Sequence, residues 1–415
     1  MQQDFPVSFA HSGNYMYLCS VKRFKHIIKP VLVLTVVMLS LSPSRAEKRD
    51  PLAYMDSVEF ALITCSPHEE IYSLYGHTAL LYRDLHEGKH QELAFNWGVF
   101  NYEAPHFVTR FVFGLTDYEL GLADYRRFCD YYRRWGSSVT EQVLNLTSEE
   151  KLALNLALEE NAQEENRVYR YNFFYDNCST RPRNIIERCI QGKVVYEPRT
   201  DYTPTFRDMI HTKVRNHSWA KFGNDMLLGV KADLTTTREE QEFLPDNLLY
   251  DFDHATIKGS DGSWRPLVKE RRMAVSPGVQ VVEPDFVASP LTCFLLLLLV
   301  SVVIFVLEWR RKKTYKYWDA LLMLATGLAG CVLFVMIFSQ HPTTSLNLQL
   351  LLVNPLHLFY LPAVLRRRKT RYWTLLIVMT CLLAVGALFQ SYAEGIPALA
   401  LCLLSRYWIH LRNEK

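Results

Sequence analysis

From residue 291 onward the chain is a succession of long apolar runs with short polar breaks, a pattern that a water-soluble fold does not use. The first run, 291–309 (LTCFLLLLLVSVVIFVLEW), is long enough to cross the hydrocarbon of a bilayer, which takes about 20 apolar residues. Residues 318–338 supply a second span, and 346–365 a weaker third that is broken by Asn354, Pro355, His357 and Pro362. Residues 373–389 and 396–409 supply a fourth and a short fifth. Basic tetrads follow the first and third runs: Arg310-Arg311-Lys312-Lys313 and Arg366-Arg367-Arg368-Lys369. Clustered Lys and Arg mark cytoplasmic loops. Five spans then leave residues 56–287 outside the cytoplasm and Arg412 and Lys415 inside it. Trp309, Trp318, Trp373 and Trp408 fall near span ends, where interfacial aromatics sit.

The N-terminus agrees with this orientation. Lys22, Arg23, Lys25 and Lys29 precede a short apolar stretch, 31–41, and Ser44-Arg45-Ala46 ends on a small residue. That is the layout of a cleaved signal peptide, 1–46, with an uncleaved anchor as the alternative and Met16 as an alternative start. The expected organisation is a signal peptide, an exported domain with its linker over 47–289, and a five-helix membrane domain over 290–415. The exported part is ample for one core. It is polar while the last quarter is apolar, so the near-zero mean hydropathy averages two unlike regions. With 46 basic and 43 acidic residues, the net charge of +3 speaks against nucleic-acid binding, which calls for a strong basic excess. Export implies an oxidising compartment, and the parity of Cys65, Cys129, Cys178 and Cys189 allows two disulfides.

Within the exported region, 58–64 (VEFALIT), 78–82 and 93–97 read as strands, the last two joined as a hairpin through the polar turn 83–91. Residues 124–135 and 148–161 read as helices, the second with a capping box of Thr147 and Glu150. A strand is expected over 169–175, a helix from Asn177 onward, and a polar lid or linker over 235–290. The fold class is therefore α+β.

Two local clusters carry chemistry. Tyr75-Gly76-His77-Thr78 enters a strand, and Asp176-Asn177-Cys178-Ser179-Thr180 enters a helix. A cysteine in the first turn of a helix feels the positive end of the helix dipole, which favours thiolate. A nearby histidine would act as its base, and backbone N–H groups at the helix start would stabilise an oxyanion. Asn96 is the first candidate to orient His77, with Asp84 second. Against this stands the bland reading, a core cysteine and a structural histidine. No Cys/His spacing suits a metal, since His211 and His217 lack a partner cluster, and no cofactor is implied.

The runs ITCSPHEEIYSLYGHTALLYRD, LAFNWGVFNYEAPHF, LTDYELG, EQVLNLTSEE and YNFFYDNCSTRPRNIIE occur in this order and resemble the exported domain of Lnb-type proteins. HPTTSLNLQLLLVNPLHL, between the second and third apolar runs, fits the membrane half of the same family. The Asn-Tyr-Gly of that family's pattern is Asn96-Trp97-Gly98 here, and the Arg that follows its GHTA arrives only at Arg83. The resemblance implies a circularly permuted NlpC/P60-like (papain-like) thiol fold with the His strand ahead of the Cys helix. It also implies bacterial lipoprotein N-acylation at the inner membrane. The acyl donor would be a phospholipid and the acceptor a diacylated apolipoprotein, with Cys178, His77 and Asn96 catalytic. Tyr75 is a further expected substrate contact. Arg181, Arg183 and Arg110 are candidates for the phosphate head group, because guanidinium pairs bidentately with phosphate. His341, Thr343, Asn347, Asn354 and His357 lie near the external mouth of the second and third spans. They are candidates for holding the lipid-modified cysteine, against helix-to-helix hydrogen bonding as the plain alternative. A cell-wall cysteine peptidase or amidase, and a transporter or sensor with a non-catalytic exported domain, are the rival functions. A wall hydrolase needs at most one anchor, so several spans favour a lipid substrate.

Overall fold

In a computed structural model, which describes residues 50–88, 91–101, 103–281, 286–366 and 370–413, the run at 58–64 becomes β1 (Val58–Cys65). The expected signal peptide lies outside the described residues, as do Arg367, Arg368, Lys369 and Lys415. Strand β1 joins β2 (His77–Asp84), β3 (Glu92–Val99), β4 (Asp117–Asp124), β5 (Val139–Leu144) and β6 (Val168–Arg170) in a seven-stranded sheet. A small sheet holds β7 (Gly192–Val195), β8 (Thr256–Gly259) and β9 (Trp264–Pro266). The seventh strand of the large sheet is β10 (Val268–Val275), and the order is β10-β5-β1-β2-β3-β4-β6, antiparallel throughout.

The helices of this region are α1 (Pro51–Met55), α2 (Phe107–Val112), α3 (Tyr125–Arg134), α4 (Ser148–Ala162) and α5 (Thr180–Cys189). They continue with α6 (Phe206–Val214), α7 (Ser218–Leu227), α8 (Arg238–Gln241) and α9 (Pro245–Asp253). The unbroken apolar character of β1 follows from burial on both faces. Phe60 and Leu62 pack with Leu154 and Leu158 of α4, Ile185 and Ile186 of α5 and Leu248 and Phe252 of α9. Ala61 and Ile63 pack with Tyr125, Phe128 and Tyr132 of α3. The Thr147–Glu150 capping box starts α4 as expected.

Three local expectations change. The strand expected over 169–175 stops at Arg170, because Asn172 folds the chain back: its side chain accepts the Phe174 N–H (3.2 Å) and its carbonyl the Asp176 N–H (2.9 Å). The region 235–290 is no lid, since it supplies α8, α9, β8, β9 and the edge strand β10. Its charges disguised a strand. Arg272 reaches Glu59 (2.7 Å) and Arg271 reaches Asp253 (2.9 Å), so a half-exposed edge reads as polar linker. Cys65, Cys129, Cys178 and Cys189 are all free thiols.

The C-terminal region is helical: α10 (Pro290–Arg311), α11 (Lys316–Met336), α12 (Leu356–Leu365), α13 (Tyr372–Gly386) and α14 (Ile396–Asn413). Among the described residues, three segments are long and apolar enough to cross a membrane: Pro290–Arg311, Lys316–Met336 and Leu348–Leu365. The third is interrupted, as its prolines foretold, by a 3-10 turn at Leu348–Leu351 and a restart at Leu356. The helix Tyr372–Gly386 is apolar but shorter. Leu295, Leu296, Leu299, Val302, Val303 and Val306 of α10 are exposed, a lipid-facing stripe. Close packing inside the bundle depends on Gly330, where a Cβ would meet the Asn354 backbone at 2.4 Å. Trp309 and Trp408 are exposed, but Trp373 is buried and stacks on His410 at 4.2 Å, so it is a packing residue and not an interfacial anchor.

Residues 51–415 form one compact unit, and a polar seam joins sheet domain to helical region. The last carbonyls of a helix have no partner within it. At the end of α7 the amides of Gln349, Asn347 and Gln390 donate to the carbonyls of Asp225 (2.8 Å), Met226 (2.7 Å) and Leu228 (3.0 Å). The backbone N–H groups of Gly229, Val230 and Gln340 bond Thr343 O (2.8 Å), Leu346 O (2.8 Å) and Phe113 O (3.0 Å).

Candidate active site

His77 opens β2 directly across from Cys65, the last residue of β1. Asn96 lies on β3, the next strand in the sheet. Its Oδ1 is 2.6 Å from His77 Nε2, so Nε2–H donates to Asn96 and Nδ1 is left to face a thiol. That thiol is Cys178, which shares the wall beside Gly98 with the imidazole and lies close enough for each to shift the other's protonation. The structure thus brings Cys178, His77 and Asn96 together. Asp84 stands at the other end of β2, bonded to Tyr54 Oη (2.5 Å) and His86 Nδ1 (2.6 Å), and does not orient His77.

Cys178 is not in the first helical turn. The helix begins at Thr180, and Cys178 precedes the cap residue Ser179. Nor are the N–H groups at this helix start all open for an oxyanion. Asn177 Oδ1 accepts those of Ser179 (2.8 Å) and Thr180 (3.0 Å), while its Nδ2 donates to Phe173 O (2.8 Å) and Phe243 O (2.8 Å). Buried and satisfied on every side, Asn177 holds the thiol loop in shape. The sequence assigns Asn177 no role of its own. The signal available was an Asx residue just before a helix start, a capping position. Each buried group stranded without a partner costs about 1–3 kcal/mol, so Asn177→Ala is expected to destabilise the chain by about 3 kcal/mol or more, read as a lowered midpoint of thermal or urea unfolding.

Burial, the largest single influence, pushes the Cys178 thiol up. The imidazolium of His77, the Thr78 N–H and the Ser179 hydroxyl outweigh it, and the thiol lies below its ordinary 9.0. Burial likewise lowers His77, but the thiolate and Asn96 prevail and raise it above 6.5. Both shifts favour a thiolate–imidazolium pair. As pH falls through the lowered thiol value the thiolate is lost, and as pH rises through the raised imidazole value the acid is lost. Alkylation of Cys178 by iodoacetamide is therefore expected to titrate below pH 9, and activity to be bell-shaped. His77→Ala should move the alkylation midpoint upward. An unchanged midpoint would show that the pair does not form.

Space beside the pair is held by Gly98, at a bulge where β3 pairs with β4. Its φ of +113° suits glycine, and a Cβ there would lie 3.8 Å from His77 Cε1 and 3.9 Å from Cys178 Cβ. Thr78 Oγ1 meets Ser179 Oγ at 2.9 Å and ties strand to loop.

The expected binding residues divide. Tyr75, two residues before His77, packs its ring edge-on against Phe173 (4.9 Å), its hydroxyl accepts from Asn224 Nδ2 (2.8 Å), and burial pushes the phenol up to about 12. Arg181 is held by both oxygens of Asp176 (2.7 and 2.8 Å) and lies over the Tyr169 ring. Arg183 is buried, 4% exposed, against Glu242 (2.7 Å), out of reach of a lipid head group. Arg110 pairs with Asp117 (2.5 Å). These three arginines make structural ion pairs. Asn347 works in the seam instead of on a ligand. Asn354 is buried in the bundle, 3% exposed, with its Oδ1 on Leu356 N–H (3.2 Å). His357 is buried between Thr326 (2.6 Å) and Tyr407 (3.5 Å), the helix-to-helix role. His341 remains half-exposed on the loop near Phe111 and Gly114.

Fold and site together define a membrane protein whose sheet domain carries a thiol–imidazole–amide constellation. The family models described as the Lnb N-terminal periplasmic domain and the Lnb transmembrane domain match residues 52–212 and 282–415. The chain belongs to the Lnb family and joins a periplasmic domain to a membrane domain. Neither a curated protein nor a solved structure matches it.

Proposed function

We propose that this chain is a membrane-bound acyltransferase that moves a fatty acyl group from a phospholipid, through a thioester on Cys178, to the α-amine of diacylglyceryl-cysteine in a lipoprotein. The observation that carries the reading is the Cys178–His77–Asn96 constellation on a domain fastened to membrane helices. The thiolate attacks the ester carbonyl. The carbon–oxygen bond to the lysophospholipid breaks as His77 gives its proton to the leaving oxygen. The amine then attacks the thioester carbonyl, the carbon–sulfur bond breaks, and His77 takes the amine proton, which restores the ion pair. Kinetics are ping-pong. The chain order of histidine strand, asparagine strand and cysteine helix supports a permuted papain-like fold. The helices from Pro290 to Asn413 support five spans in the inner membrane, with the site on its periplasmic side.

The test is mass spectrometry of lipoprotein N-termini in cells that have no other N-acyltransferase. N-acylation is expected with the intact chain and absent without it or with Cys178→Ala. Its persistence in the variant would sink the proposal. Incubated with phospholipid, the wild type should also carry a hydroxylamine-sensitive acyl label on Cys178.

A further inference from the structure

An aromatic row runs from the thiol site to the membrane region. It begins at Phe100, two residues past Gly98, which lies against both His77 and Cys178. Phe100 stacks on Phe107 of α2 (5.6 Å), Phe107 on Phe111 one turn further along that helix (6.4 Å), and Phe111 meets His341 (6.3 Å) on the loop after α11. Tyr118 backs Phe100 at 4.9 Å and itself stacks on Tyr171 at 4.0 Å. The far end is fixed, because Gln340 N–H bonds Phe113 O and Gly114 packs against Gln340 and His341. Phe111 is nonetheless 44% exposed, and Phe100 and Phe107 are only partly covered. An exposed aromatic at the end of a connected apolar row offers a surface suited to an apolar ligand. A row that starts two residues past Gly98, the neighbour of the thiol and imidazole, and ends at a loop between membrane segments fits one occupant best, a hydrocarbon chain.

We infer that one acyl chain of the lipid substrate lies along Phe100, Phe107 and Phe111 while its ester carbonyl meets Cys178 beside Gly98. This rests on the acyltransferase reading above. Its consequence is selection for chain length, since each methylene moved from water onto apolar surface is worth up to about fourfold in affinity.

The full-length chain in nanodiscs is assayed with a diacylated lipopeptide acceptor and with phosphatidylethanolamine bearing either hexadecanoyl or octanoyl chains. The double variant F107S/F111S is expected to raise KM for the long-chain donor by about tenfold, with kcat and the octanoyl reaction within about twofold of wild type. F107L/F111L, which keeps the row apolar, should retain long-chain selectivity. Equal losses with both donors, or no change with either, would overturn the inference. A phospholipid with a diazirine in its acyl chain gives a readout that needs no turnover. In Cys178→Ala it should label residues 100–113, and labelling confined elsewhere would refute the assignment. If the wild type transfers no acyl group from any donor, the acyltransferase reading fails, whereas the labelling still decides whether a chain lies on the row.

Discussion

Cys178→Ala is expected to lower acyl transfer by about 10³-fold or more, while the unfolding midpoint stays within a few degrees of wild type. Removing a nucleophile that works as a unit with its base costs about as much as removing both. The double variant Cys178→Ala/His77→Ala should then be scarcely worse than either single one. Additive losses would argue against a joint role. The fold should tolerate the change, because Cys178→Ala removes a single sulfur atom and the loop is shaped by its neighbours. Asn177 bonds two N–H groups and two carbonyls, and Thr78 grips Ser179. Asn96→Ala should act more mildly, by about 10-fold to 100-fold, since the amide only orients the imidazole through its 2.6 Å contact. Rates measured across pH would show the high-pH limb of its profile moved down, because Asn96 helps hold His77 protonated.

Arg406→Leu is the substitution expected to destabilise the helical region most. Arg406 is 2% exposed, with Nε on Asp319 (2.6 Å) and Nη2 on Glu308 (2.8 Å). His410 Nε2 meets the other Asp319 oxygen at 2.8 Å. One guanidinium therefore joins α10, α11 and α14. Taking away one partner of a buried pair leaves the other charge without compensation, at about 3–5 kcal/mol, and here two carboxylates would be left. The unfolding midpoint in detergent should drop accordingly. Leucine at 308, 319 and 406 together should be less harmful than Arg406→Leu alone, because an apolar cluster of similar volume strands no charge. If the triple variant proved the worse, the network would be worth more than charge balance.

Much of this was legible in the chain. Apolar length located the helices from Pro290 onward, three of which among the described residues are long and apolar enough to cross a membrane. The identities of Cys178, His77 and Asn96 followed from residue chemistry at the ends of recognisable elements and from motif resemblance. Less legible was any polar residue with two plausible partners. Asn347, beside a predicted membrane mouth, suggested ligand binding, but the free carbonyls ending α7 claim its amide. Arg181 and Arg183 suggested phosphate, but Asp176 and Glu242 neutralise them. Strand β10 was hidden because its cross-strand charges resemble a solvated linker.

By itself the sequence determined which segments are long apolar helices and which residues are able to do chemistry, because hydrophobic length, helix starts and side-chain reactivity are local properties. Only the tertiary structure decided which polar groups are spent on one another, that Asn177 occupies the N–H groups of Ser179 and Thr180 beside the thiol, and that Phe100, Phe107 and Phe111 align between the site and the membrane loop. Those are set by which surfaces the packed loops, sheet and helices bring within a few ångströms of each other, which residue type and local pattern do not state.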